Sequence, residues 1–380
     1  MRLLINAISV KTGGPLVVLK FLTKGMARLR PFWDFHIITD TSVSDDCSKL
    51  GANVTIHSDS NAEKSGWRTR LWYETGLPRL VQKLEADFVF SHTNYLPIRR
   101  LKVPTILLEQ HAGHFSKSFN QLMSREQGLA GRMAWKIKGC WVRGSIKRAD
   151  TVTVQTAALA EKIVRTTGIP REKIIVIPHG SGLVHRRTVL ASPPLEGQPL
   201  RVGYITNSGV QKNFDVLLDA ARRLQDRSFQ FKLVLTLDSS GIQNQRTFDK
   251  INELGIRRDV LENHGKLSQE GVRKVYESLN ILVFPSLCES FGFPMVEALS
   301  QGIPLITSDV DCNREIGGTG AITFPPHDGE ALSRLIERFQ DQEFFRKRAL
   351  MSLERSKVFD WNLAAARTIR LFESQLSLKR

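Results

Sequence analysis

Two glutamates separated by seven residues stand where a strand-like run passes into a helical pattern. Glu289 follows the apolar residues 281–285, and Glu297 follows Pro294, which is well placed as the first helical residue. The amides at such a helix start, here residues 291–295, form an anion site. A carboxylate in the first helical turn can accept hydrogen bonds from both hydroxyls of a cis-diol such as a ribose. The alternative is that Glu297 only complements the helix dipole and that Glu289 is solvated.

A lysine lies at a second helix start. Lys212 ends the loop between the strand-like residues 201–205 and the helical pattern 214–224. Its charge, added to that of the helix amides, is suited to neutralise a diphosphate, although the spacing of a P-loop is absent. A lone lysine at a helix start is more often solvated.

Two further places follow strands of the first half. Gly13 and Gly14 come after the opening strand, where paired glycines allow a phosphate or sugar close to the backbone; a plain tight turn explains them equally well. His111 and His114 follow the strand at 105–108, so one or both are expected at the sheet edge facing a cleft. A structural role is the more common one for either histidine taken separately.

No metal site is predicted. Asp309 and Asp311 have the D-x-D spacing of divalent-cation sites, but a match of three residues arises often by chance, and no His or Glu is grouped beside them. The four cysteines lie far apart without a C-x-x-C pair, so neither a zinc site nor a disulfide framework is suggested. A reducing compartment is the expectation.

Strand-like runs alternate with helical patterns through both halves, which predicts parallel sheets with crossover helices. A chain of 380 residues is too long for one ordinary core. The sequence therefore predicts an α/β fold of two Rossmann-like, doubly wound domains facing a central cleft. The domains are residues 1–185 and 200–358, and the Pro-rich residues 186–199 are the linker. The candidate residues above follow strands, where open α/β sheets bind ligands.

Positive charge is concentrated in the first half. Lys and Arg number 54 against 38 Asp and Glu, and residues 1–185 hold 27 of the basic and 14 of the acidic residues, leaving +13 there and +3 beyond. This asymmetry predicts an extended anionic partner for the first domain. No run approaches the ~20 apolar residues of a membrane span, and the N-terminus lacks a signal-peptide core. We expect a cytoplasmic protein, free or peripheral on the inner face of the membrane.

The densest basic segment is residues 132–148, which mixes lysines and arginines with Trp135 and Trp141. That composition suits an interfacial helix on an anionic membrane. The alternative is an ordinary amphipathic helix whose Trp and Ile side chains pack inward while its cations are solvated. The further cations that could extend this face are Arg28, Arg30, Lys64, Arg68, Arg70, Arg99, Arg100 and Lys102.

Together these motifs resemble the retaining glycosyltransferases of family four, which have the GT-B fold. Glu289 and Glu297 match the E-x7-E signature of that family, residues 301–308 look like its usual continuation, and residues 176–180 are similar to its V-I-P-[NH]-G segment. The resemblance implies a GT-B architecture in which the C-terminal helix, about residues 360–380, returns to the N-terminal domain. The N-terminal domain would bind the acceptor and the C-terminal domain the nucleotide-sugar donor.

The resemblance also implies roles for single residues. Glu297 would hold the donor ribose, Lys212 the diphosphate, and Glu289 the transferred sugar together with nearby amides. His111 resembles the histidine that contacts the sugar from the first domain, although Gln110 or His114 could occupy that place. The expected catalytic residues are Glu289, Lys212 and His111, and the expected donor-binding residues are Glu297, Phe291, Gly292, Gly13, Gly14 and Asn213.

One position departs from the family pattern. Many members carry an arginine shortly after the glycine of the first strand of the second domain, as a second diphosphate cation, whereas Gly203 is followed here by Tyr204. Stabilisation of the leaving group is then incomplete unless Asn207, Ser208 or backbone amides substitute for the arginine.

We therefore expect a metal-independent, retaining hexosyltransferase. It would move a sugar from a nucleoside-diphosphate sugar, UDP- or GDP-linked, to a glycan or lipid-linked acceptor in surface polysaccharide or glycolipid synthesis, with no cofactor. The alternative is a noncatalytic sugar-nucleotide or membrane-binding protein on the same fold, with Tyr204 as a sign of decay. A nucleic-acid binder is disfavoured because no nucleic-acid module is recognisable.

Overall fold

The computed structural model describes residues 1–60, 66–183, 190–238 and 240–377. Lys64, the first part of the expected linker and the last three residues of the expected C-terminal helix lie outside these ranges. The chain divides into two compact units. The first unit consists of Met1–Phe115, Gln127–Gly180 and Asp360–Arg380, and the second consists of Ser116–Glu126 and Ser181–Phe359. The segment Ser116–Glu126, expected in the N-terminal domain, is thus grouped with the second unit.

The first unit contains a seven-stranded sheet in which every pairing is parallel. Its strand order is β3-β2-β1-β4-β5-β6-β7. The strands are β1 (Arg2–Ala7), β2 (Asp34–Thr39), β3 (Val54–Ser58), β4 (Phe88–Ser91), β5 (Thr105–Leu108), β6 (Thr151–Val154) and β7 (Ile174–Val176). The helices of this unit are α1 (Gly13–Leu29), α2 (Ser44–Cys47), α3 (Gly66–Lys83), α5 (Leu129–Arg148), α6 (Ala157–Thr167) and α14 (Trp361–Ser377).

The second unit contains a six-stranded parallel sheet with the order β10-β9-β8-β11-β12-β13. Its strands are β8 (Leu200–Tyr204), β9 (Phe231–Leu235), β10 (Leu261–Asn263), β11 (Ile281–Phe284), β12 (Leu305–Ser308) and β13 (Ala321–Phe324). Its helices are α4 (Lys117–Glu126), α7 (Phe214–Asp226), α8 (Ile242–Glu253), α9 (Gln269–Ser278), α10 (Phe293–Ser300), α11 (Asp311–Gly317), α12 (Gly329–Glu337) and α13 (Gln342–Ser356).

Continuous apolar runs form the central strands because helices cover both faces of a parallel sheet. In β1, Leu3, Leu4 and Ile5 are all fully buried, and in β11 every residue is buried. In each sheet the strand order reverses once, between β1 and β4 and between β8 and β11. Ligands of open α/β sheets bind at such switch points, beyond the carboxyl ends of the strands. The predicted α/β class is confirmed.

The C-terminal helix α14 packs in the first unit, as expected. Gly25 of α1 makes a close approach possible, since a Cβ there would lie 2.8 Å from the Cβ of Ala365. Phe372 is fully buried against Phe88 and Phe90, with ring centroids 5.7 and 5.5 Å apart. The last helix is therefore part of the core of the N-terminal sheet rather than an appendage to the second unit.

Candidate functional site

Lys212 and Glu289 meet at the switch point of the second sheet. Lys212 lies in the loop after β8 and Glu289 in the loop after β11, and their Nζ and Oε1 atoms are 2.7 Å apart. The hydroxyl of Ser286 donates to the same Oε1 at 2.7 Å. Only 13% of the lysine side chain and 15% of the glutamate side chain are exposed. The alternative that Lys212 and Glu289 are solvated side chains is therefore excluded.

Asn213 fixes the loop that carries Lys212. It has a left-handed backbone, with φ 53°, directly before α7. Its side-chain amide donates to the carbonyls of Pro285 at 3.1 Å and Pro326 at 2.7 Å. The Leu287 amide also donates to the carbonyl of Gln211 at 2.9 Å. These bonds tie the loops after β8 and β11 together, so Asn213 positions the lysine; its expected contact with a donor stays a prediction.

Tyr204, which replaces the expected arginine, is a core residue. Its ring is fully buried, with centroids 5.0 Å from Phe214 and 6.0 Å from Phe284. Its hydroxyl donates to the backbone carbonyl of Lys212 at 2.9 Å, and burial raises its pKa well above the ordinary value. Tyr204 therefore supplies no cation, but it holds the backbone of the lysine that does.

Glu297 lies in α10 and is gripped by a second buried tyrosine. The hydroxyl of Tyr276 donates to Glu297 Oε2 at 2.8 Å, whereas Oε1 faces Gly182, where an added Cβ would lie 2.4 Å away. Burial raises the pKa of Glu297 to about 7, and the hydrogen bond from Tyr276 opposes that rise. Because α10 begins at Phe293, Glu297 falls in its second turn, and the first turn holds no acidic residue. The expected first-turn position was wrong, so complementing the helix dipole does not explain this glutamate.

The start of α10 is built on a glycine. Gly292 has φ 78°, and a Cβ there would lie 2.5 Å from Met295 Cε. Phe291 is buried, and Pro294 is the second helical residue rather than the first. The Met295 amide donates to the Gly292 carbonyl at 3.0 Å, so it does not belong to the set of open amides expected from the sequence.

In the first unit, the glycine pair begins α1 just after β1. Gly13 is exposed with φ 69°, and nothing lies within 4 Å of where its Cβ would stand. The cap residue Thr12 makes no side-chain hydrogen bond to the helix, and the first turn contains no acidic side chain. The start of α1 thus has neither a side-chain cap nor a carboxylate in its first turn, as a helix N-terminal anion site requires. The contact of Gly13 and Gly14 with a donor stays a prediction.

The histidines after β5 have different surroundings. His114 is buried and stacks on Trp135, with ring centroids 4.0 Å apart, and burial lowers its pKa to about 3. His111 is only partly buried, and its amide donates to Glu109 Oε1 at 2.9 Å. The side-chain amide of Gln110 donates to the carbonyl of His92 at 3.2 Å. His114 thus has the structural role. The His111 ring lies beside those of His114 and Trp135, with centroids 5.1 and 5.5 Å away, and its expected contact with a sugar stays a prediction.

Four buried polar residues that the sequence did not reveal end the neighbouring strands. His92 follows β4, Glu109 follows β5, Gln155 follows β6 and His179 follows β7. Burial raises the pKa of Glu109 to about 8 and lowers those of His92 and His179 to about 3. Only His179 belongs to a motif, as the fourth residue of the V-I-P-[NH]-G segment; the available signal for His92, Glu109 and Gln155 was their place directly after strands.

The D-x-D pair is bridged by a cation of its own chain. Arg314 donates to Asp309 at 2.7 Å and to Asp311 at 2.5 Å. Over the described ranges, no three His, Cys, Asp or Glu side chains are grouped as a metal site would need.

Helix α5 is three residues longer at its start than the segment expected from the sequence. Trp141 stacks on Tyr95 at 4.1 Å between ring centroids and donates to the Leu96 carbonyl at 3.0 Å. An exposed apolar stripe, which we define as Leu129, Met133 and Ile137, runs along the same helix, with 83%, 58% and 63% of each residue accessible. The expectation that the isoleucines pack inward is therefore wrong for Ile137, although Ile146 is buried.

Within the described chain, no helix has both the length and the apolarity for a membrane span.

Comparison with known families agrees with this geometry. The family described as "Glycosyltransferase Family 4" matches residues 12–181, and that described as "Glycosyl transferases group 1" matches residues 186–352. The chain belongs to the family-four glycosyltransferases. O-antigen chain mannosyltransferase B of Escherichia coli is 25% identical over 237 residues, which cover 60% of this chain and 62% of that one. D-inositol 3-phosphate glycosyltransferase of Streptomyces griseus is 30% identical over 266 residues, covering 61% and 55%. The match thus spans less than two thirds of these relatives.

Solved structures place this family-four member in the GT-B fold. Sucrose-phosphate synthase from Thermosynechococcus elongatus superposes with a TM-score of 0.73 at 17% identity, covering all of both chains. Anabaena HepE, solved with UDP-glucose, has a TM-score of 0.71 at 15% identity. The superposition covers 98% of this chain and all of HepE. At these identities the likeness concerns the fold alone.

Proposed function

We propose that this chain is a retaining glycosyltransferase that needs no metal ion. It takes a sugar from a UDP- or GDP-linked donor and passes it to a glycan or lipid-linked acceptor in surface polysaccharide or glycolipid synthesis. One observation carries the proposal: a buried Lys212–Glu289 pair at the switch point of the second sheet, in the same unit as the Tyr276-held carboxylate of Glu297.

Each member of this set has a chemistry that a nucleotide sugar needs. The Glu297 carboxylate accepts hydrogen bonds from the two ribose hydroxyls, and because Gly182 has no Cβ, no side chain of that residue covers Oε1. Lys212 exchanges its bond with Glu289 for the donor diphosphate. Glu289 is then free to accept hydrogen bonds from the transferred sugar, with the amides near Phe291 and Gly292.

The reaction follows from where charge develops. When the bond to the sugar breaks, negative charge accumulates on the β-phosphate, and a preorganised cation stabilises it in the transition state. In the retaining course, the acceptor hydroxyl attacks from the face that the diphosphate leaves, and a departing phosphate oxygen takes its proton. Glu289 then does not act as a covalent nucleophile, unlike the corresponding carboxylate of a retaining glycoside hydrolase. For His111, Gly13 and Gly14 of the first unit, contact with the sugar and the phosphates stays a prediction.

The burial of Tyr204 leaves Lys212 with more of this task. The Tyr204 hydroxyl donates a hydrogen bond to the Lys212 carbonyl, and the Tyr204 ring is fully buried in the core of the second unit. The tyrosine thus contributes by holding the lysine in place, which favours an enzyme over a decayed binding protein.

The relatives support the choice of donor and product. The relatives include an O-antigen chain mannosyltransferase, and the structural neighbour HepE was solved with UDP-glucose. Transfer of a hexose from UDP or GDP in surface polysaccharide synthesis is consistent with both.

A membrane-bound acceptor is supported by α5. The apolar stripe of Leu129, Met133 and Ile137 is exposed beside exposed cations on the same helix, namely Arg132, Lys136, Lys138 and Lys147. Apolar side chains flanked by lysines and arginines suit the headgroup region of an anionic bilayer. The protein then works as a peripheral protein on the cytoplasmic face.

The proposal is tested by incubating the protein with UDP-, GDP- and ADP-sugars in the presence of EDTA and measuring nucleoside diphosphate release. We expect release with one UDP- or GDP-sugar, and a product that keeps the anomeric configuration of the donor. Glu289→Gln should reduce the rate by about 100-fold, whereas the exposed control Glu343→Gln should not. Absence of release with every donor, with candidate lipid acceptors present, would leave only the noncatalytic alternative.

The membrane part has its own test, flotation with vesicles of phosphatidylcholine and phosphatidylglycerol. Replacing the stripe in Leu129→Ser/Met133→Ser/Ile137→Ser should abolish flotation. The matched control Ile242→Ser/Leu350→Ser/Val358→Ser removes equally exposed apolar side chains from the second unit and should float normally. Equal flotation of the two variants would contradict the role of α5.

A further inference from the structure

A basic pocket lies at the edge of the first sheet that is opposite the glycine pair and His111. It has a volume of about 210 Å³ and is lined by residues 96, 97 and 99–103 of the loop before β5, by Thr105, which begins β5, and by Arg148 and Asp150, which precede β6. Strands β5 and β6 begin at this edge, whereas the donor and sugar residues follow strand ends. The pocket is therefore separate from the site described above.

The lining of this pocket has four cations and one carboxylate. The cations are Arg99, Arg100, Lys102 and Arg148, and the carboxylate is Asp150. Asp150 is already engaged, since its Oδ2 accepts hydrogen bonds from the amide and hydroxyl of Thr105 at 2.8 and 2.9 Å. A further lysine, Lys173, lies near enough for Asp150 and Arg100 to perturb it, and burial lowers its pKa. The electrostatic balance of the pocket is thus positive.

Three exposed cations of the pocket lie within four consecutive positions of the chain. Arg99, Arg100 and Lys102 make no ion pair with any described carboxylate. Three adjacent cations without counter-charge repel one another, and an anion between them removes that repulsion.

The backbone that presents these cations is fixed. Glu74 accepts hydrogen bonds from the Ile98 amide at 2.8 Å and the Arg99 amide at 3.5 Å, and Arg148 Nε donates to the Pro97 carbonyl at 2.8 Å. Pro97 and Pro104 bracket the loop and restrict its φ angles. A loop held in this way orders little on binding, so its cations are preorganised for a ligand.

We infer that this pocket binds a phosphate group, with the guanidinium forks of Arg99 and Arg100 and the ammonium of Lys102 as donors. Guanidinium groups suit phosphate because they donate two parallel hydrogen bonds. The apolar wall formed by Leu96, Leu101 and Val103 accepts a nonpolar group attached to that phosphate. The phosphate comes either from an anionic lipid headgroup or from a soluble phosphate compound. The inference does not depend on transferase activity.

The test uses two triple variants that remove the same charge from the first unit. The pocket variant is Arg99→Gln/Arg100→Gln/Lys102→Gln, and the control is Arg165→Gln/Arg367→Gln/Arg370→Gln, whose residues line no part of the pocket. Both are made in a Lys212→Met background so that the donor lysine does not bind the probe. Inorganic phosphate is titrated by calorimetry at constant ionic strength. Flotation is measured with phosphatidylcholine vesicles containing phosphatidylglycerol, and melting temperatures confirm folding.

We expect the pocket variant to bind inorganic phosphate about tenfold more weakly than the control. If its flotation also falls below that of the control, the source is a lipid headgroup. If flotation is equal for the two variants, the source is a soluble phosphate. A loss of flotation with no loss of phosphate binding overturns the inference, because the three cations would then attract the membrane by charge without binding a phosphate group. Equal behaviour of the two variants in both assays overturns the inference.

Discussion

Glu297 is held by groups that its own motif does not contain. The E-x7-E spacing identified both glutamates and their place after β11. It did not reveal Tyr276, because that residue belongs to α9 and reaches Glu297 only through the fold. Nor did it reveal that Lys212 pairs with Glu289, since the two residues come together only where β8 lies beside β11. Residue types were readable from the sequence, but contacts between distant segments were not.

Removing the Tyr276 hydroxyl tests its hold on Glu297. Tyr276→Phe should raise the dissociation constant of the donor roughly fivefold, about 1 kcal/mol, because one hydrogen bond to the ribose-binding carboxylate is lost. The change should appear in KM with kcat nearly constant. The control Tyr73→Phe removes a buried hydroxyl that contacts Thr93 in the first unit, and it should leave donor binding unchanged.

The pH profile of Tyr276→Phe shows whether Tyr276 orients the Glu297 carboxylate by its hydrogen bond or only packs against it. Burial gives Glu297 a pKa of about 7, so donor affinity should rise as pH increases through about 7 and the carboxylate ionises. The Tyr276 hydrogen bond lowers that pKa, so the midpoint in Tyr276→Phe should lie at higher pH. Identical midpoints in the two proteins would show that Tyr276 only packs.

Glu109 should make stability depend on pH. Its folded-state pKa of about 8 is above the ordinary 4.5, so the folded state prefers the neutral form. The stability that this preference contributes is complete below pH 4.5 and is lost as pH rises towards 8. The Glu109→Gln variant has no carboxyl group at this position, so it does not undergo this loss. Its free energy of unfolding relative to wild type should therefore increase between pH 4.5 and pH 8, by on the order of 3 kcal/mol. Denaturant unfolding at pH 5 and pH 9 checks this, and a difference that does not vary with pH would contradict it.

At the scale of elements, the sequence located the strands that precede the candidate residues. The strand expected at 105–108 coincides with β5, the run at 201–205 is shifted by one residue from β8, and the run at 281–285 extends one residue beyond β11. The misses have local causes. Helix α5 begins at Leu129, before the basic segment, and its apolar stripe has no core to face. Inward packing of all its isoleucines was wrong because helical periodicity alone does not say which face a neighbouring element covers.

The start of α10 depends on the backbone of Gly292. Gly292→Ala should destabilise the protein by about 1 kcal/mol more than Gly168→Ala. Both glycines have positive φ angles, 78° and 71°, but only at Gly292 would the new Cβ meet a side chain, Met295. Chemical denaturation of the two variants measures the difference. Equal losses would mean that the contact with Met295 does not constrain this helix start.

For the whole molecule, the charge asymmetry of the sequence now has structural detail. The second unit uses Lys212 in one buried pair. The first unit carries the exposed cations of α5 and of the loop before β5. The sequence predicted the fold class, the two sheets and the second-unit glutamates, because those depend on local patterns. It could not predict that His92, Glu109 and Gln155 are buried, since their burial depends on how separate strands and helices pack together.

The central claim is that the second unit binds a nucleoside diphosphate through Lys212. Calorimetric titration of the full chain with UDP, GDP and ADP tests this most directly, since it requires no acceptor. We expect UDP or GDP to bind and Lys212→Met to weaken that binding by about 100-fold. The control Lys347→Met, an exposed lysine of α13, should bind as the wild type does. No binding of any of the three, or equal binding by both variants, would contradict the claim.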